Sequence, residues 1–234
     1  MIFRQLFDRE SSTYTYLLGC QDSREALLID PVVGKVDDYC CLLDELELRL
    51  VVAADTHVHA DHITALGALR DRLGCITVMG EQAHAACVSR SVGDGDRFGA
   101  GKVSLRAMFT PGHTDDSYCF VMDDRVFTGD TLLIRGTGRT DFQNGDPVVA
   151  YHSLFDRVLA LPDETLVYPG HDYRGYTVST IREERRWNPR LQVASAEEYA
   201  ALMAALNLPS PALMDVAVPA NRACGKPVSL PLKL

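Results

Sequence analysis

The sequence predicts an α/β protein with layered packing, and three observations lead there. Apolar strand-like runs alternate with segments of helical spacing from residue 12 to residue 88, as expected of helices laid on a sheet. From Asp94 the pattern changes to strands joined by short turns. No repeat of fixed period and no low-complexity linker divides the chain, so one domain over residues 1–234 with two similar β-rich halves is expected, a C-terminal helix and tail (about 190–234) packing on it.

Residues 12–18 alternate Thr and Tyr up to a turn at Gly19, and residues 25–30 form an apolar run closed by Pro31, which reads as an antiparallel pair. Residues 36–48 place apolar side chains at helical spacing, and 48–54 read as a strand buried on both faces. A helix over 61–73, a strand over 76–79 and a short helix over 82–88 follow. The second half predicts strands at 103–110, 118–122 and 125–128, the last two joined tightly at Asp123-Asp124. After them come a helix over 147–161, a strand over 165–168, a charged helix over 177–187 and a helix over 196–206. A proline-punctuated segment to Leu234 is expected along the surface.

Of 234 residues, 23 are Lys or Arg and 32 are Asp or Glu, a formal charge of −9. That balance disfavours nucleic acid and anionic membrane as partners. The first residues have neither the apolar core of a signal peptide nor the Arg-rich character of a transit peptide, so a cytoplasmic protein is expected. Seven cysteines form no C-x-x-C pair, and the odd count in a chain of this length predicts reduced, structural thiols, Cys224 among them.

The histidines are more informative. The strand at 48–54 runs into Asp55-Thr56-His57-Val58-His59-Ala60-Asp61-His62, an H-x-H-x-D-H pattern on a strand-to-helix turn. In extended backbone His57 and His59 point to one side, and Asp61 with His62 can converge on the same point. His113, Asp130 and His171 each follow a Gly at the end of an apolar strand, where the backbone can turn and project the next side chain from the sheet edge. A lone histidine is usually a packing or surface residue, as expected for His84 and His152; this grouping reads as a metal site.

These residues, in this order, resemble the metallo-β-lactamase superfamily over nearly the whole chain. Three segments narrow the resemblance: THVHADHIT (56–64), TGDTLLIRGTGRTDFQ (128–143), and HDYRGYTVST (171–180) with NPR (188–190). They look like the persulfide dioxygenases, the sulfur dioxygenase group related to the ethylmalonic encephalopathy protein. The resemblance implies a four-layer αββα sandwich and one Fe(II) per chain held by His57, His113 and Asp130. It also implies oxidation of glutathione persulfide with O2 and water to sulfite and glutathione, a step of sulfide oxidation, and a homodimer. Two imidazoles and a carboxylate on one face of an octahedral ion suit that chemistry.

The same seven residues also fit a second resemblance, to glyoxalase II. There His57, His59 and His113 would hold one metal, Asp61, His62 and His171 a second, and Asp130 would bridge them for thioester hydrolysis. In the dioxygenase reading His59, Asp61, His62 and His171 orient the ligands instead. The match over 135–142 and a tail less basic than a glyoxalase II substrate domain favour the dioxygenase. An anionic substrate on an acidic protein needs local arginines; Arg139 and Arg190 are the candidates, with Arg135 and Arg174 behind them. Tyr173 is the candidate catalytic and substrate-binding hydroxyl, with a ring-packed pocket wall as its competing role.

Overall fold

In the computed structural model, which describes residues 1–206, 208–209 and 213–226, two six-stranded sheets form the centre of the molecule. The first sheet contains β1 (Ile2–Asp8), β2 (Thr13–Gly19), β3 (Glu25–Ile29), β4 (Arg49–Ala54), β5 (Ile76–Gly80) and β6 (Arg90–Val92), side by side in that order. β1, β2 and β3 pair antiparallel, whereas β3 to β6 pair parallel, their crossovers running through α1 (Val36–Glu45) and α2 (Leu66–Leu73). The second sheet orders β7 (Arg97–Ala100), β8 (Val103–Phe109), β9 (Tyr118–Val121), β10 (Arg125–Gly129), β11 (Leu166–Pro169) and β12 (Ser179–Thr180). Only its β10–β11 pair is parallel, bridged by α3 (Pro147–His152).

The two-residue period of the strands makes the layers. In β2, Tyr16 and Leu18 face the second sheet while Leu17 faces the helices; in β9, Tyr118 and Phe120 face the first sheet while Cys119 and Val121 face outward. Leu27, Ile29, Val52, Leu105 and Phe127 complete the layer between sheets. Tyr39 and Leu43 of α1 and Leu66 and Leu69 of α2 cover the first sheet. Ala150 of α3, Ile181 of α4 (Ile181–Trp187), and Tyr199 and Met203 of α5 (Ala196–Ala204) cover the second. The four-layer αββα arrangement follows, each buried Leu or Phe contributing about 1.5–3 kcal/mol.

Several boundaries differ from the sequence expectation. β1, β6 and β7 have no counterpart in it, and β12 stands where helix was expected. The helix expected over 61–73 starts only at Leu66, because residues 59–64 are held in an open turn whose backbone groups bond to side chains. The short helix expected over 82–88 is a single 3-10 turn, Glu81–Ala83, ended by His84 with φ 48°. The helix over 147–161 is present as α3 and continues as a π-helical stretch, Ser153–Val158. The charged helix begins at Ile181, since Ser179 and Thr180 pair with β11 and the Thr180 hydroxyl accepts the Glu183 N–H as an N-cap.

Where a surface segment was expected, α6 (Met214–Arg222) forms with Ala217, Ala220 and Asn221 buried; residues 227–234 of that segment lie outside the described residues. The expectation of wholly reduced cysteines is also corrected: Cys87 and Cys224 form a disulfide across 137 residues of sequence. The spacing rule fails here because the two meet through the packing of α6 beside the segment after β5, which no local pattern records.

Candidate metal centre

The sheet edges assemble the centre. The turn after β4 supplies His57, His59, Asp61 and His62; the loops after β8, β10 and β11 supply His113, Asp130 and His171. All seven expected residues come together at the carboxyl ends of these strands, the usual place for a site in such sheets. His57, His113 and Asp130 offer one donor atom each within 4.8 Å of one another, and so do His59, Asp61 and His62. His113 Nε2 lies 3.5 Å from Asp130 Oδ2, a separation that one ion about 2.1 Å from each donor can span. His84 and His152 are exposed elsewhere, His152 paired with Asp156.

Hydrogen bonds decide which ring nitrogen of each histidine is free. His113 Nδ1 lies 2.7 Å from the Arg139 carbonyl, so it carries the proton and leaves Nε2 with its lone pair toward Asp130. His171 Nδ1 donates to the Ser12 carbonyl at 3.2 Å, and its Nε2 lies 3.5 Å from Asp130 and 3.6 Å from Asp61. His59 Nε2 donates to Asp30 at 3.1 Å, and His62 Nδ1 to Asp61 at 2.9 Å. The single hydroxyl proton of Thr56 goes to Asp30 at 3.0 Å, so His57 Nδ1, also 3.0 Å away, must donate to that hydroxyl. Each of the five histidines is therefore anchored through one N–H, with its other nitrogen turned inward.

Three inward atoms, His59 Nδ1, His62 Nε2 and Asp130 Oδ1, are buried without a hydrogen-bond partner among the described residues, the His171 imidazole standing 3.5 Å from the last. Buried polar atoms without partners are costly, and a cation satisfies all three kinds. Burial and then the neighbouring imidazoles hold His57 and His59 well below the usual histidine range, so both are neutral. Burial would lift the Asp130 carboxyl, but His171, His113 and His57 together hold it below the usual carboxylate range. At His171 burial works downward, and Asp130 and Asp61 overcome it, raising the imidazole to about 9. The positive charge that two carboxylates draw onto His171 is what a bound cation would supply instead. The donor set therefore fits a metal ion.

The centre opens onto a cavity of about 470 Å³ lined by Leu133, Thr137, Arg139, Tyr173, Arg190 and Pro209 among others. Arg139 grips Asp141 through two bonds of 2.6 and 2.8 Å, donates to the Pro209 carbonyl at 2.6 Å and lies over the Phe142 ring. Arg190 donates to the Thr137 carbonyl, and among the described residues no carboxylate pairs with it. Arg135 is tied to Glu183 and the fully buried Glu184; Arg174 is exposed. Tyr173 is 74% exposed at the mouth, its ring parallel to His171 at 6.1 Å.

Sequence reasoning passed over the supports. Asp30 accepts from Thr56 N–H, Thr56 hydroxyl and His59, and Asp116 accepts from Val58 N–H and Thr114. Asp30 carried a usable signal, an acid ending an apolar strand just before a proline, as with the other strand-end residues. Arg139 was expected to act through its guanidinium, yet its carbonyl is what touches the centre. Gly138 is required by close approach: a Cβ there would lie 2.3 Å from the Asp130 carbonyl and 2.8 Å from the His113 ring.

Comparison with known proteins gives concordant results. A family model described as the metallo-beta-lactamase superfamily matches residues 8–171. The human protein "Persulfide dioxygenase ETHE1, mitochondrial" is 48% identical over 228 residues, covering 96% of this chain and 89% of that protein. The crystal structure of ETHE1 from Myxococcus xanthus superposes with a TM-score of 0.95 at 56% identity, over 97% of this chain and all of that one. TTHA1623, solved in a di-iron-bound form, is 25% identical with a TM-score of 0.67 over 80% of this chain and 98% of its own.

Proposed function

We propose, from the premise that the chain belongs to the metallo-beta-lactamase superfamily, that it is a persulfide dioxygenase using one iron held by His57, His113 and Asp130. The substrate is glutathione persulfide, and the balanced reaction is GSS⁻ + O2 + H2O → GSH + SO3²⁻ + H⁺. What carries the reading is the two-histidine, one-carboxylate trio at the floor of the cavity, in a chain 48% identical to a persulfide dioxygenase over 96% of its length. Such a trio is characteristic of non-haem iron oxygenases. Bound iron would supply the electron chemistry with O2 that side chains lack.

The chain's own residues do the rest. Arg139 O keeps the His113 proton on Nδ1, and Thr56 with Asp30 keeps the His57 proton on Nδ1, so both rings present Nε2. Arg190, unpaired among the described residues, receives a carboxylate of the glutathione moiety through its fork of donors. Arg139 shapes the wall and takes a smaller part in binding, because Asp141 already neutralises it. Tyr173 stands at the entrance, where its hydroxyl can meet the substrate and its ring limits access. Leu133 and Pro209 keep the cavity wall apolar. In this reading residues 1–234 act as one domain, cytoplasmic and homodimeric.

A specific observation bears on the glyoxalase II-like alternative: a second donor trio, His59, Asp61 and His62, shares Asp61 and His62 with the second-metal set, and His171 Nε2 lies 3.6 Å from Asp61. Metal analysis with oxygen-electrode assays separates the two. We expect one iron per chain and O2 uptake on adding glutathione persulfide. Two metals per chain, with hydrolysis of a glutathione thioester and no O2 uptake, would overturn the proposal.

A further inference from the structure

The turn carrying His59, Asp61 and His62 is fixed from behind by a residue 159 positions further along the chain than His62. Asn221, on α6, is fully buried. Its Nδ2 donates to the carbonyls of His59 and His62, both at 2.8 Å, and its Oδ1 accepts the Thr64 N–H at 2.9 Å. Both amide protons and the carbonyl oxygen are thus used, each on backbone that would continue α2 backward if it were helical. The end of α6 is itself fixed: the Cys224 carbonyl accepts the Gly67 N–H at 2.9 Å, and the Cys224 sulfur is bridged to Cys87. A Cβ at residue 67 would stand 2.5 Å from the Cys224 carbonyl, so α6 and α2 approach as closely as backbone permits.

We propose that Asn221 is a positioning residue of the metal centre. It holds residues 59–64 in the one open turn that keeps His59, Asp61 and His62 packed beside the donors and leaves His57 free to face His113 and Asp130, so the three-residue donor set is arranged before any ion arrives. Only an asparagine meets the requirement: two donors for two carbonyls and one acceptor for one N–H, at a fixed short reach. Asn221→Asp has nearly the same shape, but it sets acceptor oxygens against the two carbonyls it should satisfy. Leucine would leave three buried backbone groups unpaired. Asn221 touches neither substrate nor metal donor atoms, and its effect runs wholly through the backbone of the turn.

The proposal rests on the metal reading above, and the test separates the two. Wild type and Asn221→Asp are stripped of metal and titrated with Fe(II) without oxygen, and their melting temperatures are recorded with and without metal. We expect the Fe(II) Kd to rise about 10- to 100-fold, as when other ligand supports are removed. The gap between metal-loaded and metal-free melting temperatures should narrow, whereas a merely structural role would lower both temperatures together. An unchanged Kd in a folded variant overturns the positioning role. Failure of the wild type itself to bind Fe(II) overturns the metal reading and the proposal with it. If the variant does not fold, amide hydrogen exchange on the metal-free wild type decides: the Thr64 amide should be protected, and free exchange there would show that no turn is held ready.

Discussion

A histidine becomes a directed ligand only when its other nitrogen is occupied, and here five different partners occupy it: the Arg139 and Ser12 carbonyls, the Thr56 hydroxyl, Asp30 and Asp61. Substitutions that disturb the supports of the two proposed ligand histidines, His57 and His113, should therefore act on the metal without touching it. Gly138→Ala, which drives a methyl group into the His113 ring, should lower iron content as measured by elemental analysis, and more so than Asp61→Ala, in which iron content should survive. If Asp61→Ala instead loses the metal, the single-iron assignment is wrong. Arg190→Ala should lower kcat/KM for glutathione persulfide roughly 10- to 100-fold, the equivalent of about 1.5–3 kcal/mol for a charge-assisted hydrogen bond. The effect should appear in KM, since the contact is far from the reacting sulfur. The seven inward residues were legible in the sequence because each lies in a short motif at a strand end. Asn221 was not, because its partners are more than 150 residues away and meet it only through packing; Asp30 showed as an acid at a strand end before Pro31, but its partner Thr56, 26 residues on, did not.

Among the elements, the inner strands were read best, since the pattern along β2, β9 and β10 records two covered faces, whereas the strands missed, β1, β6, β7 and β12, are the outer ones of the two sheets. Helix starts were read less well. The apolar spacing of α2 extends back to residue 61, but side chains compete for the backbone groups of residues 59–64, and the helix waits until Leu66. α6 was missed because it contains Pro219, which cannot donate to residue 215; that position is exposed, so water can take the carbonyl's bond. The disulfide at its end closes a long loop, for which about 2–4 kcal/mol is typical. At roughly 2–4 °C per kcal/mol for a chain of this size, reductant or Cys87→Ser should lower the melting temperature of the metal-free protein by roughly 5–15 °C in calorimetry. An unchanged melting temperature would mean that α6 is secured by its hydrogen bonds alone.

Over the whole molecule, a net charge of −9 surrounds a pocket in which Arg190 has no carboxylate partner among the described residues. An anionic substrate meets repulsion at long range and attraction at short range. Salt removes the long-range part first, as the Debye length falls from about 30 Å at 0.01 M to about 8 Å at 0.15 M. The initial rate at low substrate should therefore rise with salt over that interval; a fall would mean that the pocket arginines dominate the approach as well as the binding. The order of the strands has a different consequence. Each sheet is assembled from strands consecutive in the chain, residues 2–92 in the first and 97–180 in the second. During synthesis all strands of the first sheet are made before any of the second, an order that lets the first sheet form earlier, since domains are made and fold from the amino terminus. Its turn bears four of the seven inward residues, and the other three arrive only when the second sheet docks. Ion capture by both groups together would thus be a late event of biogenesis, a record that the two halves of the nascent chain have found each other.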